Sequence, residues 1–502
     1  MAPGAAESEP QYHPDGTASE GMLGPVIGIV GAVLVCTALG LAWDKWAARR
    51  SKAADEAPSV MGGLRLRGWV VGMLVSSYAL LVPGLTSHLF VARTDLILFG
   101  IPTNLNEYDE TMVSLIARLV EDHMVLGALL VSLYAMVIPL FKIALLVLGQ
   151  YLQRSGRARD VRRSRICILV VQAISKWASP DMFAYILLMN LMRGLDKPPA
   201  LRSGMLMDAG FTCFCIFCLA STVSSLGIRV PELPAEEEDH PAQSRARAPV
   251  RIGRRTAAAL VALLSGLFGG LLVTGLMRPS MSLHIDLPLL YQVRPDLAEL
   301  KVIFEFMHVG ELLRNEVSVW ESIVSLARWM AQGEVNSGIA LFLYAGCAVC
   351  LPIFDMSLIL ASTLLTLLGG TTREVGTLAP RAMALSRHLR KLAMLDVSVM
   401  GSLVVVASLR TLREKGVLIE VCSGAFLLLA AEVCHYTAAF IVQRSLAPSP
   451  ARELEAAKVV RKSGSMGSST VSTTNEDLGD DGGEAGLDLA TSEESASAPG
   501  EQ

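Results

Sequence analysis

Apolar runs near or above the roughly 20 residues needed to cross a lipid bilayer recur along this chain, and they leave few folds open to it. They cover residues 23–43, 69–90, 124–152, 181–195, 205–228, 257–277, 338–368, 393–409 and 417–442. Soluble proteins carry about 25% charged residues; here the share is 18%, with 52% hydrophobic residues and a mean hydropathy of +0.47. The runs are continuously apolar rather than alternating, which argues against barrel strands and for spanning helices. The expected class is therefore an all-α, polytopic membrane protein.

The charges between the runs give the expected topology. Basic residues gather after residue 43 (Lys45, Arg49, Arg50, Lys52), between Arg154 and Arg165, in 229–255 and in 373–391. With strict alternation these loops share one side, which the positive-inside rule makes cytosolic. That predicts about nine spans, an N-terminus outside the cytosol and a C-terminus within it. The run at 23–43 has its positive charge after the apolar stretch, so it reads as an anchor and not as a cleaved signal peptide.

A repeat organises the rest. Pro139-Leu140-Phe141 is followed by Lys176 and Asp181, and about 210 residues on, Pro352-Ile353-Phe354 is followed by Lys391 and Asp396. The expected layout is an N-terminal anchor plus two parallel four-helix repeats. In residue ranges this gives a disordered 1–22, an anchor with its basic loop at 23–64, modules at 65–230 and 255–445, a charged linker at 231–254, and a disordered acidic, Ser-rich tail at 446–502.

Several residues are candidates for chemistry. Asp181 and Asp396 each open an apolar segment, so they read either as carboxylates flanking a shared, hydrated path or as acids complementing a helix N-terminus. Lys176 and Lys391, five residues earlier, either meet lipid phosphates or snorkel to the interface. Pro139 and Pro352 break long helices at matching places, a pointer to a substrate site or a plain packing kink. Lys142 and Asp355 each lie three residues after those prolines; they would either pair across the repeat axis or stand alone at span ends. Glu432 and His435 share one face of the last span, where an intramembrane acid is a functional candidate. No counterpart is evident in the first repeat.

Nine cysteines are present, nearly all within apolar runs. Cys215/Cys218 and Cys347/Cys350 have zinc-like spacing, but inside spans they read as small residues at helix contacts. No phosphate-binding loop occurs, and neither an enzymatic activity, a cofactor, a metal site nor a nucleic-acid partner is expected.

The stretch Val137-Ile138-Pro139-Leu140-Phe141-Lys142-Ile143, a basic segment, and Lys176-Trp177-Ala178-Ser179-Pro180-Asp181-Met182-Phe183 resembles the signature of the paraquat-inducible protein A family, which includes the lipophilic-envelope-spanning A proteins. A second copy ends as Ala393-Met394-Leu395-Asp396-Val397, without the tryptophan. The resemblance implies a multi-pass component of a system that transfers lipid between membranes, partnered by membrane lipids and an MCE-domain protein. It places weight on Pro139, Lys142, Trp177 and Asp181, and on Pro352, Met394 and Asp396. The soluble Cys-x-x-Cys pairs of bacterial members are absent. Two alternatives stand beside it: an ion-coupled transporter of a small solute using Asp396 and Glu432, and a scaffold whose tail recruits partners.

Overall fold

The computed structural model describes residues 23–53, 67–98, 101–155, 157–196, 201–231, 253–293, 314–368, 375–408 and 417–446. The expected disordered N-terminus and, apart from their margins, the charged linker and acidic tail lie outside the described residues. The chain divides into the units Met1–Ser445 and Leu446–Gln502, and the helical bundle with its sheets belongs to the first.

Helix α1 (Leu23–Ala53) packs on α2 (Gly68–Thr86). A Cβ on Gly40 would strike the backbone of Gly68, so the absent side chain lets the two backbones approach, as is common between spanning helices. The first turn of α2 has no side-chain cap of its own; Asp44 of α1 supplies one, accepting from the backbone N–H of Gly68 (2.6 Å) and Trp69 (3.3 Å).

From α2 the chain runs through β1 (His88–Leu98), β2 (Ile101–Thr111), α3 (Met112–Glu121) and α4 (Val125–Arg154). It continues through α5 (Ala158–Ile174), a 3₁₀ turn (Ser175–Ala178), α6 (Pro180–Arg193), β3 (Leu201–Met207) and α7 (Ala209–Leu226). The second half comprises α8 (Arg254–Met277), β4 (Pro279–Ile285), the short α9 (Leu287–Val293), β5 (Asn315–Ser318), α10 (Val319–Ala331) and α11 (Val335–Leu367). It ends with α12 (Val375–Leu392), α13 (Leu395–Ser408), β6 (Val417–Val421) and α14 (Ser423–Leu446).

Among the described residues, and apart from α9 and the 3₁₀ turn, the order of elements is the same in both halves. Each half builds one antiparallel three-stranded sheet with its first strand in the centre, ordered β2-β1-β3 and β5-β4-β6. The third strand is positioned by Phe90↔Met207 in one sheet and Met281↔Val421 in the other. The amphipathic helices α3 and α10 both begin with capping boxes, Thr111 with Ser114 and Ser318 with Glu321. Both are followed by a turn that needs a left-handed residue: His123 (φ 62) in one half and Gly333 (φ 100) in the other.

Among the described residues, eight helices or helical runs are long and apolar enough to cross a membrane, and the protein is a multi-pass helical membrane protein. Nine runs were expected. The run at 181–195 becomes α6, whose 14 residues give about 21 Å at 1.5 Å per residue, short of the roughly 30 Å hydrocarbon core. Its counterpart α13 counts only because it follows α12 in the apolar run Leu378–Ser408. The basic segments read as loops are largely helical, in α5 and α12. The segments after α2 and α8 are not plain loops but carry the strands, and residues 205–207 and 417–421 leave their predicted spans to complete the sheets.

Exposed large apolar residues such as Leu140, Val147, Leu263, Phe354 and Phe440 lie on α4, α8, α11 and α14, as expected of lipid-facing helices. In α6, by contrast, residues from Pro180 to Leu191 are nearly all buried. A helix that is apolar all round and buried all round belongs at the centre of a bundle. It lies there against α13: a Cβ on Gly401 would sit 2.7 Å from the Pro180 carbonyl oxygen and 2.9 Å from the Phe183 Cβ.

Candidate functional site

The two prolines act on their helices in the same way. Proline has no N–H to give and its ring crowds the carbonyl four residues back. Both helices respond by widening to a π-turn just before it, Leu133–Val137 ahead of Pro139 and Phe342–Cys350 ahead of Pro352. Cys347 and Cys350 fall in this widened turn; the Cys347 carbonyl accepts the backbone N–H of Met394 (3.0 Å). All nine cysteines are free thiols, and Cys215 and Cys218 are buried in α7.

Lys142 and Asp355 follow these turns, and both are fully buried. They do not pair with each other. The Lys142 ammonium donates to the Ser221 carbonyl (2.7 Å) and hydroxyl (3.2 Å) on α7. Asp355 Oδ2 accepts from Arg390 Nε (3.1 Å) and lies 2.8 Å from His435 Nε2 on α14. These contacts occupy equivalent places, and glycine fixes the register. Gly210 and Gly424 begin the last helix of each half against the carbonyls of residues 87–88 and 278–279, where a Cβ would not fit. Counting from those glycines, Cys218 and Ser221 stand where the second half has Glu432 and His435. The first half's counterpart, not evident from its residues alone, is therefore a thiol and a hydroxyl, residue types that a search for a matching acid passes over.

Glu432 and His435 form a contact, Oε2 to Nδ1, at 3.4 Å. Asp355, Glu432 and His435 are buried, and the partly exposed Arg390 completes a cluster of four ionisable groups, with Ser386 accepting a further N–H from Arg390 (3.1 Å). Among the described residues, Asp355 Oδ1 and Glu432 Oε1 have no hydrogen-bond partner.

The aspartate–lysine pairs lie where the halves meet. Lys176 neither snorkels nor stays within its own half: its ammonium reaches Asp396 Oδ2 of the second half (2.5 Å) and the Tyr436 hydroxyl (2.7 Å). Tyr436 also donates to Asp396 Oδ2 (3.1 Å), closing a triangle. Lys391 crosses in the other direction and donates to Gln172 Oε1 (2.7 Å), whose amide in turn bonds the carbonyls of Ser225 and Ile228. Asp181 is 1% exposed and, among the described residues, neither of its oxygens has a hydrogen-bond partner, so its carboxyl lies in the interior without such a bond. Asp396 instead bonds its own helix at Val397 N–H (3.0 Å) besides holding Lys176. Trp177 is partly exposed beside Lys176. Met394 is buried, and its sulfur lies 3.8 Å from the Ser179 hydroxyl.

Ser179 and Met394 each stand two residues before their aspartate, so equivalent residues touch across the seam. Other seam contacts also come in matched pairs. Arg193 at the end of α6 donates from Nη2 to both carboxylate oxygens of Glu334 just before α11 (3.0 and 3.2 Å), while Ser408 at the end of α13 lies against Gly127 in the first turn of α4. Thr212 donates to Asn336 (2.6 Å) nearer the sheets.

Beside the charged seam, Arg390, Tyr436, Thr437, Phe440 and Gln443 line an open groove of about 400 Å³. Arg390 and Tyr436 give it a polar end backed by Lys176 and Asp396; Phe440 gives it an apolar flank. No group of His, Cys, Asp and Glu suited to holding a metal ion occurs among the described residues.

Residues 89–229, from β1 to just past α7, match the family described as paraquat-inducible protein A. The match takes in Pro139, Lys142, Lys176, Trp177 and Asp181, together with Cys218 and Ser221. No curated protein and no solved structure matches the chain. The matched segment supplies Lys176 to the seam, and the second half, outside the match, supplies Asp396 and Tyr436.

Proposed function

We propose that this protein is an integral membrane component of a lipid-transfer system, built from two tandem copies of one module that face each other across the seam. The match of residues 89–229 to the paraquat-inducible protein A family supports this reading, as does the similar order of the described elements in the two halves. The observation that carries it is the groove at Arg390 and Tyr436: a cationic and hydroxylic end continuous with the Lys176–Asp396 pair, opening beside an apolar flank on a lipid-facing helix. An amphiphile with an anionic headgroup matches that arrangement, because a phosphate accepts charge-assisted hydrogen bonds from Lys and Arg while its chains remain in hydrocarbon.

In this reading Lys176 and Arg390 release their carboxylate partners to take the headgroup, and Asp181 and Asp396 gate or hydrate the path. The protein converts nothing chemically; it moves membrane lipid, with an MCE-domain protein as its partner. Its basic segments face the cytosol and the N-terminus lies on the other side.

The test is lipid transfer between vesicles by the reconstituted full chain. Asp181→Asn with Asp396→Asn is expected to lower transfer while leaving expression intact. Unchanged transfer rejects the gating role.

A further inference from the structure

The cluster around His435 goes beyond the lipid reading and does not depend on it. We infer that His435, held between Asp355 and Glu432, is a buried proton-binding site carried by the second half alone.

The geometry argues this directly. Both ring nitrogens face carboxylate oxygens, Nε2 at 2.8 Å from Asp355 and Nδ1 at 3.4 Å from Glu432. A neutral imidazole has one N–H and one lone pair, so it can donate to only one of them. The other nitrogen would then turn its lone pair toward a carboxylate, two acceptors facing each other. Both contacts become favourable only when the group holds one further proton, either on the second ring nitrogen or on a carboxyl that donates to it.

Charge counting agrees. Asp355 and Glu432 bring two negative charges and Arg390 one positive, leaving the buried cluster at −1 without the proton and neutral with it. An uncompensated charge in a buried site is costly. The surrounding elements supply little else to balance it. Helix α8 offers the Phe268 ring at 5.7 Å, and α12 offers Ser386 beside Arg390. Next along α14, Tyr436 belongs to the triangle with Lys176 and Asp396, an ion pair that is neutral by itself.

The same geometry says where the proton goes. When it leaves, the single remaining N–H keeps the shorter bond to Asp355, and Glu432 loses its donor. A proton moved to a carboxyl oxygen stays within the cluster and keeps it neutral, whereas one released from the cluster leaves it at −1. Arg390 shares Asp355 Oδ2 with His435 and lines the groove, so proton loss at His435 changes the charge felt at the groove's polar end. The first half cannot do this, because Lys142, Cys218 and Ser221 occupy the equivalent places.

The test is histidine side-chain ¹⁵N NMR on the labelled full chain in nanodiscs, followed across a pH titration. The chain has 8 histidines. One imidazole is expected to follow a course separate from the rest, to vanish in His435→Gln, and to move toward the others in Glu432→Gln. If His435→Gln fails to fold, Glu432→Gln carries the test alone. All imidazoles titrating together, or a separate signal indifferent to Glu432→Gln, overturns the inference.

Discussion

Replacing Gly401 by alanine probes the packing that brings the two halves together. An added Cβ would meet the Pro180 carbonyl oxygen at 2.7 Å, the Phe183 Cβ at 2.9 Å and the Ala184 nitrogen at 3.1 Å. Favourable contacts begin at about 3.5 Å, so α6 and α13 must part locally by roughly 0.5–1 Å. Two of the three atoms are backbone, so no side-chain rotation relieves the clash. Overpacking of this kind costs about 1–3 kcal/mol, partly offset by about 1 kcal/mol of helix propensity gained on removing a glycine. Gly266 in α8 is the control, since nothing lies within 4 Å of its Cβ position and only the propensity gain applies. Unfolding midpoints of the two purified variants should therefore move in opposite directions, by a difference of about 1–3 kcal/mol. Detergent-solubilised protein titrated with a denaturing detergent and followed by circular dichroism measures this. If Gly401→Ala proves as stable as Gly266→Ala, the close crossing of α6 and α13 is wrong.

Further outcomes rest on the seam and the turns. Lys176→Met strands Asp396 with only the Tyr436 hydroxyl and its own helix, and should cost about 3 kcal/mol; Lys176→Met with Asp396→Leu should recover most of it, which a double-mutant cycle in the same assay reads out. Arg193 donates from Nη2 to both Glu334 oxygens and from Nε to the Met205 carbonyl (2.7 Å), and its guanidinium lies 4.1 Å over the Trp329 ring. Arg193→Lys keeps the charge but cannot reach Glu334 and the Met205 carbonyl from two nitrogens while lying flat on Trp329, so a cost of about 2 kcal/mol is expected in thermal unfolding; no cost would mean that the second bond and the stacking contribute little. His123→Gly should stabilise by about 0.5–1 kcal/mol, because it removes a side chain from a φ of 62 that Gly333 meets freely in the second half; an unchanged unfolding midpoint would mean that His123 carries no strain.

Much of this architecture was legible in the amino-acid sequence, because hydrocarbon imposes a length and a polarity that apolar runs record plainly. The prolines marked where the two long helices are disturbed, though not that each widens to a π-turn, and the spacing of Glu432 and His435 put them on one face without naming their contact. The strands were not legible. Val417–Val421 and residues 205–207 are as apolar as the helices they adjoin, so hydropathy merged them with their spans. Pairing across the seam was hidden for a different reason. Lys176 finds Asp396 more than two hundred residues away, and nothing local distinguishes a lysine that snorkels from one that turns inward. Lys142 and Asp355 looked complementary because their charges are opposite, yet each faces the last helix of its own half, where Ser221 and His435 stand in register.

Mass spectrometry of the lipid that purifies with the full chain tests the central claim most directly. An anionic-headgroup lipid is expected to be retained, in an amount that falls when the groove's polar end is removed by Arg390→Ala or Lys176→Ala. Bound lipid that mirrors the bulk membrane and ignores both substitutions would contradict it.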